Sequence, residues 1–202
     1  MKIVSRIPAT GKQRHEELTG DGWVALKEPQ RLMTAVAVSI QLMVLNVLLT
    51  VGIFSLFRPV SPSDFGFGQD GFSRTVSLEA VVGLSLLLIV HEMLHLVMIP
   101  GFASSDRTCA GITYAGGFVY TEEEIPKARY LLVTALPFVI ISVLLPLVLG
   151  NAGLLTAGSM ALILFNSMAS SVDVLSMFLI LTQASAGSRL TGNGTRTYWK
   201  QM

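Results

Sequence analysis

Cysteine, histidine and charge are all scarce in this chain, and each scarcity narrows what it can be. The single cysteine, Cys109, excludes an internal disulfide and any cysteine-rich metal site, and reads as a small half-buried residue. Charged residues make up 13% of the sequence, where soluble domains average about 25%, which excludes an ordinary water-soluble fold. A formal net charge of +1 supplies no basic field for nucleic acid. Residues 1–31 mix both signs of charge and hold no continuous apolar stretch, so no cleavable signal peptide is expected. Histidine occurs three times, as His15, His91 and His95.

What the chain has in quantity is apolar residues, 51% of the total, with a mean hydropathy of +0.63. They fall in four runs, residues 32–57, 77–99, 130–149 and 154–181, where about 20 residues suffice to cross a bilayer. The expected fold is therefore an all-α membrane protein. Four transmembrane helices form one bundle over residues 32–181, with a polar N-terminal segment at 1–31 and a polar, mobile tail at 182–202. In the N-terminal segment, punctuated by proline and glycine, His15 is expected in solvent and Trp23 at the lipid interface.

The connections carry their own signals. Residues 58–76, rich in Pro, Gly, Ser and Phe and including Asp64, Asp70 and Arg74, read as non-helical. Pro100 and Gly101 end the second run. After it, the stretches from Thr108 to Tyr114 and from Phe118 to Thr121 are β-prone and flank Ala115-Gly116-Gly117, which predicts a short β-hairpin loop. Its exposed edge could hold an extended peptide by strand addition, the alternative being a plain connecting hairpin. Glu122, Glu123 and Glu124 read as a solvated turn. Gln41 and Asn46 are expected to bond neighbouring helices, and Pro137 and Pro146 to kink the third run.

The sharpest pattern is His91-Glu92-Met93-Leu94-His95, inside an apolar run. On a helix, residues four apart project from nearly one face, so the two imidazoles can each offer a nitrogen to a tetrahedral Zn²⁺. Glu92 lies on the shoulder of that face. There it can take a proton from a zinc-activated water and later pass it to a leaving amine. Structural histidines, or histidines binding haem, are the bland alternatives; haem needs two facing helices, and here both imidazoles share one. Ionisable groups at membrane depth are costly enough to point to function.

A third ligand has to come from elsewhere. Lys and Arg gather in the N-terminal segment, in the loop carrying Arg107, Lys127 and Arg129, and in the tail, whereas Arg58 and Arg74 alone face the other side. The positive-inside rule then places both termini in the cytoplasm. His91 lies eight residues before the cytoplasmic end of its run at Ile99, and Asp173 eight before Leu181, each about 12 Å deep. Asp173 is thus level with the imidazoles and can complete a His₂Asp site. Asn166 and Ser170 share its helical face. Asn166, Ser167, Ser170 and Ser171 are expected to line a polar inlet for water.

These residues resemble an uncharacterised bacterial family of membrane zincin peptidases, itself similar to site-2 intramembrane metalloproteases in reduced form. The resemblance rests on the His91–His95 motif, the Gly-Gly loop, Ala135-Leu136-Pro137-Phe138, and Asn166 followed by Asp173. It implies an intramembrane metalloprotease with His91, His95 and Asp173 as zinc ligands, Glu92 as general base and Asn166 near substrate. Asp173 is followed by Val174, whereas site-2 proteases carry glycine there. The expected partners are the bilayer of the bacterial cell and a membrane-protein or peptide substrate. A non-catalytic metal-binding module, for partner binding or metal transport, is the alternative function. No residue pattern indicates an oligomeric state.

Overall fold

The computed structural model describes residues 1–68, 71–72, 77–113 and 116–202; Asp70 and Arg74 of the first connection, and Tyr114 and Ala115 of the hairpin, lie outside them. In chain order the elements are β1 (Lys2–Ile3), α1 (Lys12–Gly20), β2 (Val24–Ala25), α2 (Leu32–Val38) and α3 (Ile40–Ser55). A 3₁₀ turn (Pro62–Phe65), β3 (Phe67–Gly68), β4 (Gly71–Phe72) and α4 (Leu78–Met98) follow. Then come β5 (Thr108–Thr113), β6 (Gly116–Thr121), β7 (Ile125–Pro126), α5 (Lys127–Pro137), a π-helical turn (Phe138–Leu144) and α6 (Leu145–Asn151). The chain closes with α7 (Ala157–Ala169), α8 (Ser171–Gln183), β8 (Arg189–Asn193) and β9 (Arg196–Lys200).

The protein is mostly helical, at 56%, and among the described residues three helical stretches are long and apolar enough to cross a membrane: Leu78–Met98, Lys127–Asn151 and Ala157–Gln183. In α4, the Ser77 hydroxyl accepts from the Ala80 N–H and caps the start. At the far end Gly101 takes the left-handed exit geometry (φ 61°). Its 21 residues span about 32 Å. Val82, Leu86, Ile89, Val90, Met93 and Val97 form an apolar outer face, while His91, His95 and Leu96 are buried. Pro137 and Pro146 each lack an N–H donor, and the stretch between them widens into the π turn in place of a simple kink.

Two features bear on the expectation of an all-α bundle of four spans. The first apolar run is divided at Ser39, whose hydroxyl donates to the Val36 carbonyl, a local bond that competes with the helix. The remaining α3 has 16 residues, about 24 Å, short of the roughly 30 Å hydrocarbon core. The second is β structure: the expected hairpin is present as β5 and β6, and the strands beyond it correct the all-α expectation. One sheet has the order β1-β5-β6, a second β2-β9-β8-β7, and β3 and β4 form a pair.

The tail is therefore a hairpin, β8 against β9, rather than a mobile end, and β2 extends it through Val24 opposite Trp199. Trp23 is buried against Leu18 and Tyr198 and not at a lipid interface. His15, expected in solvent, bonds the Tyr198 hydroxyl through Nδ1 at 2.8 Å. The glutamate run is engaged as well: Glu122 pairs with Arg14, Ser105 donates to Glu123, and Glu124 pairs with Arg189.

Two cations on the first turn of α5 hold the helices that matter for the site. The Arg129 Nε–H donates to the Met98 carbonyl at the end of α4, and Lys127 Nζ donates to the Ala184 carbonyl at the end of α8, each at 2.6 Å. Positive charge at a helix C-terminus also complements the helix dipole.

Candidate metal centre

α4 and α8 carry the three residues that the structure brings together. His91 and His95 present Nε2 atoms 3.2 Å apart. Asp173, in the first turn of α8, places Oδ2 3.4 Å from His91 Nε2 and Oδ1 3.6 Å from His95 Nε2. Both imidazoles are buried, at 8% and 7% exposure, while the Asp173 side chain keeps 23%. Among the described residues this is the cluster of at least three His, Cys, Asp or Glu side chains that could hold a metal.

The other nitrogen of each ring is committed. His95 Nδ1 lies 2.6 Å from the Val133 carbonyl, and His91 Nδ1 lies 2.8 Å from the Asn166 side-chain oxygen. A carbonyl only accepts, so His95 donates from Nδ1 and keeps the Nε2 lone pair for a metal. Asn166 was expected beside substrate; it is 1% exposed and bonded to His91.

The expected polar inlet is likewise a packed seam. The Ser167 hydroxyl bonds Thr50, its carbonyl accepts from Asn46, and Ser171 bonds Ser39. These are the interhelical bonds by which α3 joins α7 and α8. Asp173 and Glu92 are only half-buried, unlike the two imidazoles.

Over Glu92 sits β6. A Cβ added at Gly117 would fall 2.5 Å from Glu92 Cγ and 2.6 Å from its Oε1. The two glycines expected in the hairpin turn are thus strand residues, Gly116 opposite Thr113 and Gly117 opposite Ile112. A glycine inside a strand marks close approach by another group, and that was the available signal.

A family model described as "putative zincin peptidase" matches residues 84–189, just over half of the chain. The chain belongs to this zincin peptidase family. Its matched segment contains His91, Glu92, His95, Asn166 and Asp173. No curated protein and no solved structure matches the chain.

A zincin implies zinc, and the donor set fits. Ligand distances of about 2.0–2.1 Å in a tetrahedral site put neighbouring donor atoms about 3.3 Å apart. His91 Nε2 has His95 Nε2 at 3.2 Å and Asp173 Oδ2 at 3.4 Å, close to that edge length, while His95 Nε2 lies 3.6 Å from the other carboxylate oxygen, Oδ1; one donor atom from each residue lies within 4.8 Å of the others. Two neutral imidazoles and one carboxylate are a zinc-type set that leaves one position open.

Proposed function

We propose that the protein is a membrane-embedded zinc metallopeptidase that hydrolyses a peptide bond of a membrane protein or delivered peptide near the cytoplasmic face. The observation that carries this reading is the convergence of His91, His95 and Asp173, with one donor atom from each within 4.8 Å of the others, and Glu92 next to His91 in the chain. His91, His95 and Asp173 would hold the ion. Once bound, Zn²⁺ supplies Lewis acidity, lowering the pKa of a coordinated water toward about 7 and polarising a carbonyl. Glu92 takes a proton from the attacking water as its oxygen bonds to the carbonyl carbon. It returns that proton to the amide nitrogen as the C–N bond breaks, so an amine leaves together with a carboxylic acid that keeps the water's second proton. Gly117, with no side chain, lets the β6 backbone lie against Glu92. An extended substrate aligned with that strand would place its own carbonyls beside the general base.

A fourth crossing is part of the same proposal. β2, just before the first apolar run, pairs with β9, while Phe57, the run's last residue, lies against Gly150 near the end of α6. β9 follows α8, whose end is tied by Lys127 to the start of α5, and the Lys127–Asn151 stretch separates that start from Gly150. Residues 32–57 thus run the length of the bundle although α3 itself is short. Both termini then share the side of the sheets, which the Lys and Arg distribution assigns to the cytoplasm of a bacterial cell membrane.

The test is the full chain in detergent, parent against Glu92→Gln. The parent and the variant should hold equal zinc, and cleavage of a fluorogenic peptide library should be lost in the variant. Equal cleavage by both would refute the role of Glu92.

A further inference from the structure

Asn166 is the most thoroughly engaged polar side chain of the bundle, and its bonds have a direction. Its Nδ2 faces three oxygens: the Pro137 carbonyl at 3.3 Å, the Ser142 hydroxyl at 3.0 Å and the Ser170 hydroxyl at 3.4 Å. The Pro137 carbonyl can only accept, so the NH₂ end of the amide must point there. Ser142 in turn donates to the Ile163 carbonyl, which leaves its lone pairs for Asn166. The amide oxygen is thereby turned toward His91. Against an acceptor at 2.8 Å, His91 Nδ1 must carry its proton. In the neutral imidazole that a metal would take, Nε2 then keeps its lone pair, and it is this atom that faces His95 and Asp173.

The anchor is unusual local structure. Ser142 sits in the π-helical turn and is fully buried. π turns are uncommon and concentrate where a side chain must be re-aimed for function. Four elements meet at one amide: α5 through Pro137, the π turn through Ser142, α7 through Asn166 itself, and α4 through His91.

We infer that Asn166, held by Ser142 and Pro137, is a positioning residue that locks the tautomer and ring orientation of His91 and so sets the affinity of the centre for zinc. It does not touch substrate. The inference rests on the proposed zinc site and adds to it the residue that presets the ligand. Partners of this kind behind a metal-binding histidine commonly govern affinity 10- to 100-fold.

The test measures Zn²⁺ affinity of the full chain in detergent by competition with a chromophoric chelator. Asn166→Ala should weaken binding about 10- to 100-fold. Ser142→Ala, which frees the amide to rotate, should weaken it several-fold. Asn166→Asp, which restores an acceptor for His91, should recover most of the loss. Equal affinity in parent and Asn166→Ala would overturn the inference while leaving the zinc site standing; a parent without affinity for zinc would overturn both.

A second measurement needs no variant at position 166. In zinc-loaded protein labelled with ¹⁵N-histidine, three histidines give few enough signals to assign using substitutions at His15 and His95. Zinc on His91 Nε2 with Nδ1 protonated is the expected result. Zinc on Nδ1 would overturn the inference.

Discussion

Replacing Gly117 by alanine is the smallest change that reaches the proposed general base. Gly117 does not have a positive φ, so alanine meets no backbone penalty and the effect is steric alone. The new methyl would lie 2.5 Å from Glu92 Cγ, 2.6 Å from Oε1 and 2.7 Å from Cδ, where carbon atoms rest at about 3.5–4.0 Å. About 1 Å must therefore be opened, either by turning the carboxylate or by lifting β6. Overpacking of this kind typically costs about 1–3 kcal/mol of stability, which the bundle can absorb. A displacement of about 1 Å at a reacting group costs about 10²-fold in rate. Zinc content should not change, because no ligand contacts the new methyl among the atoms nearest to it. The assay is cleavage of a fluorogenic peptide library alongside metal analysis of the same preparation. A Gly117→Ala protein with full zinc and parental turnover would show that Glu92 need not stay where β6 holds it, and would refute the reasoning.

Other outcomes follow from the same geometry. Asp173→Ala and His91→Ala should each lose zinc on dialysis against a chelator that leaves the parent loaded, with helicity by circular dichroism retained; zinc retained in Asp173→Ala would remove Asp173 from the ligand set. Arg129→Ala should lower stability by about 1 kcal/mol by exposing the end of α4 without its cation, read as a lower unfolding midpoint at unchanged zinc stoichiometry. Glu28 gives a pH dependence. Burial pushes its carboxyl from 4.5 up to about 7, against the opposing pull of Thr197 and Arg196. The folded protein thus holds this proton more tightly than the unfolded chain. Its stabilising contribution is complete below pH 4.5 and is lost as the pH rises to about 7. Glu28→Gln keeps an acceptor for the Thr197 N–H and should flatten that slope, leaving the variant more stable than the parent at pH 8 by at most about 3 kcal/mol. A parent without the slope would dismiss the shift.

The metal-type cluster was legible because it depends on periodicities that a sequence displays. The spacing of His91 and His95 fixes a helical face, and counting along two apolar runs put Asp173 at their level. Spacing puts Asn166 on the right face, but its bond to His91 cannot be read there, since the amide also bonds Ser142 and a π turn between two prolines has no pattern of its own. The break at Ser39 was hidden because a serine barely lowers the hydropathy of its surroundings. The β5–β6 hairpin is legible in its β-prone stretches, whereas the remaining strands are not, for a different reason. Val24 pairs with Trp199, far along the chain, and two-residue strands such as β1 and β2 are too short to show alternation. Asn193-Gly194, by contrast, is a strong turn signal between Thr191 and Tyr198, and it was passed over because the tail's polar composition suggested disorder.

The second sheet also bears on how this molecule can be dissected. β7 leads directly into the turn of α5 that clamps α4 and α8, yet its partner is β8, which depends on β9, which in turn holds β2. The family segment, residues 84–189, ends at the first residue of β8. Expressed by itself it would keep every proposed zinc ligand and lose the strands that hold β7 at the start of α5. The smallest working unit is therefore larger than the homologous one.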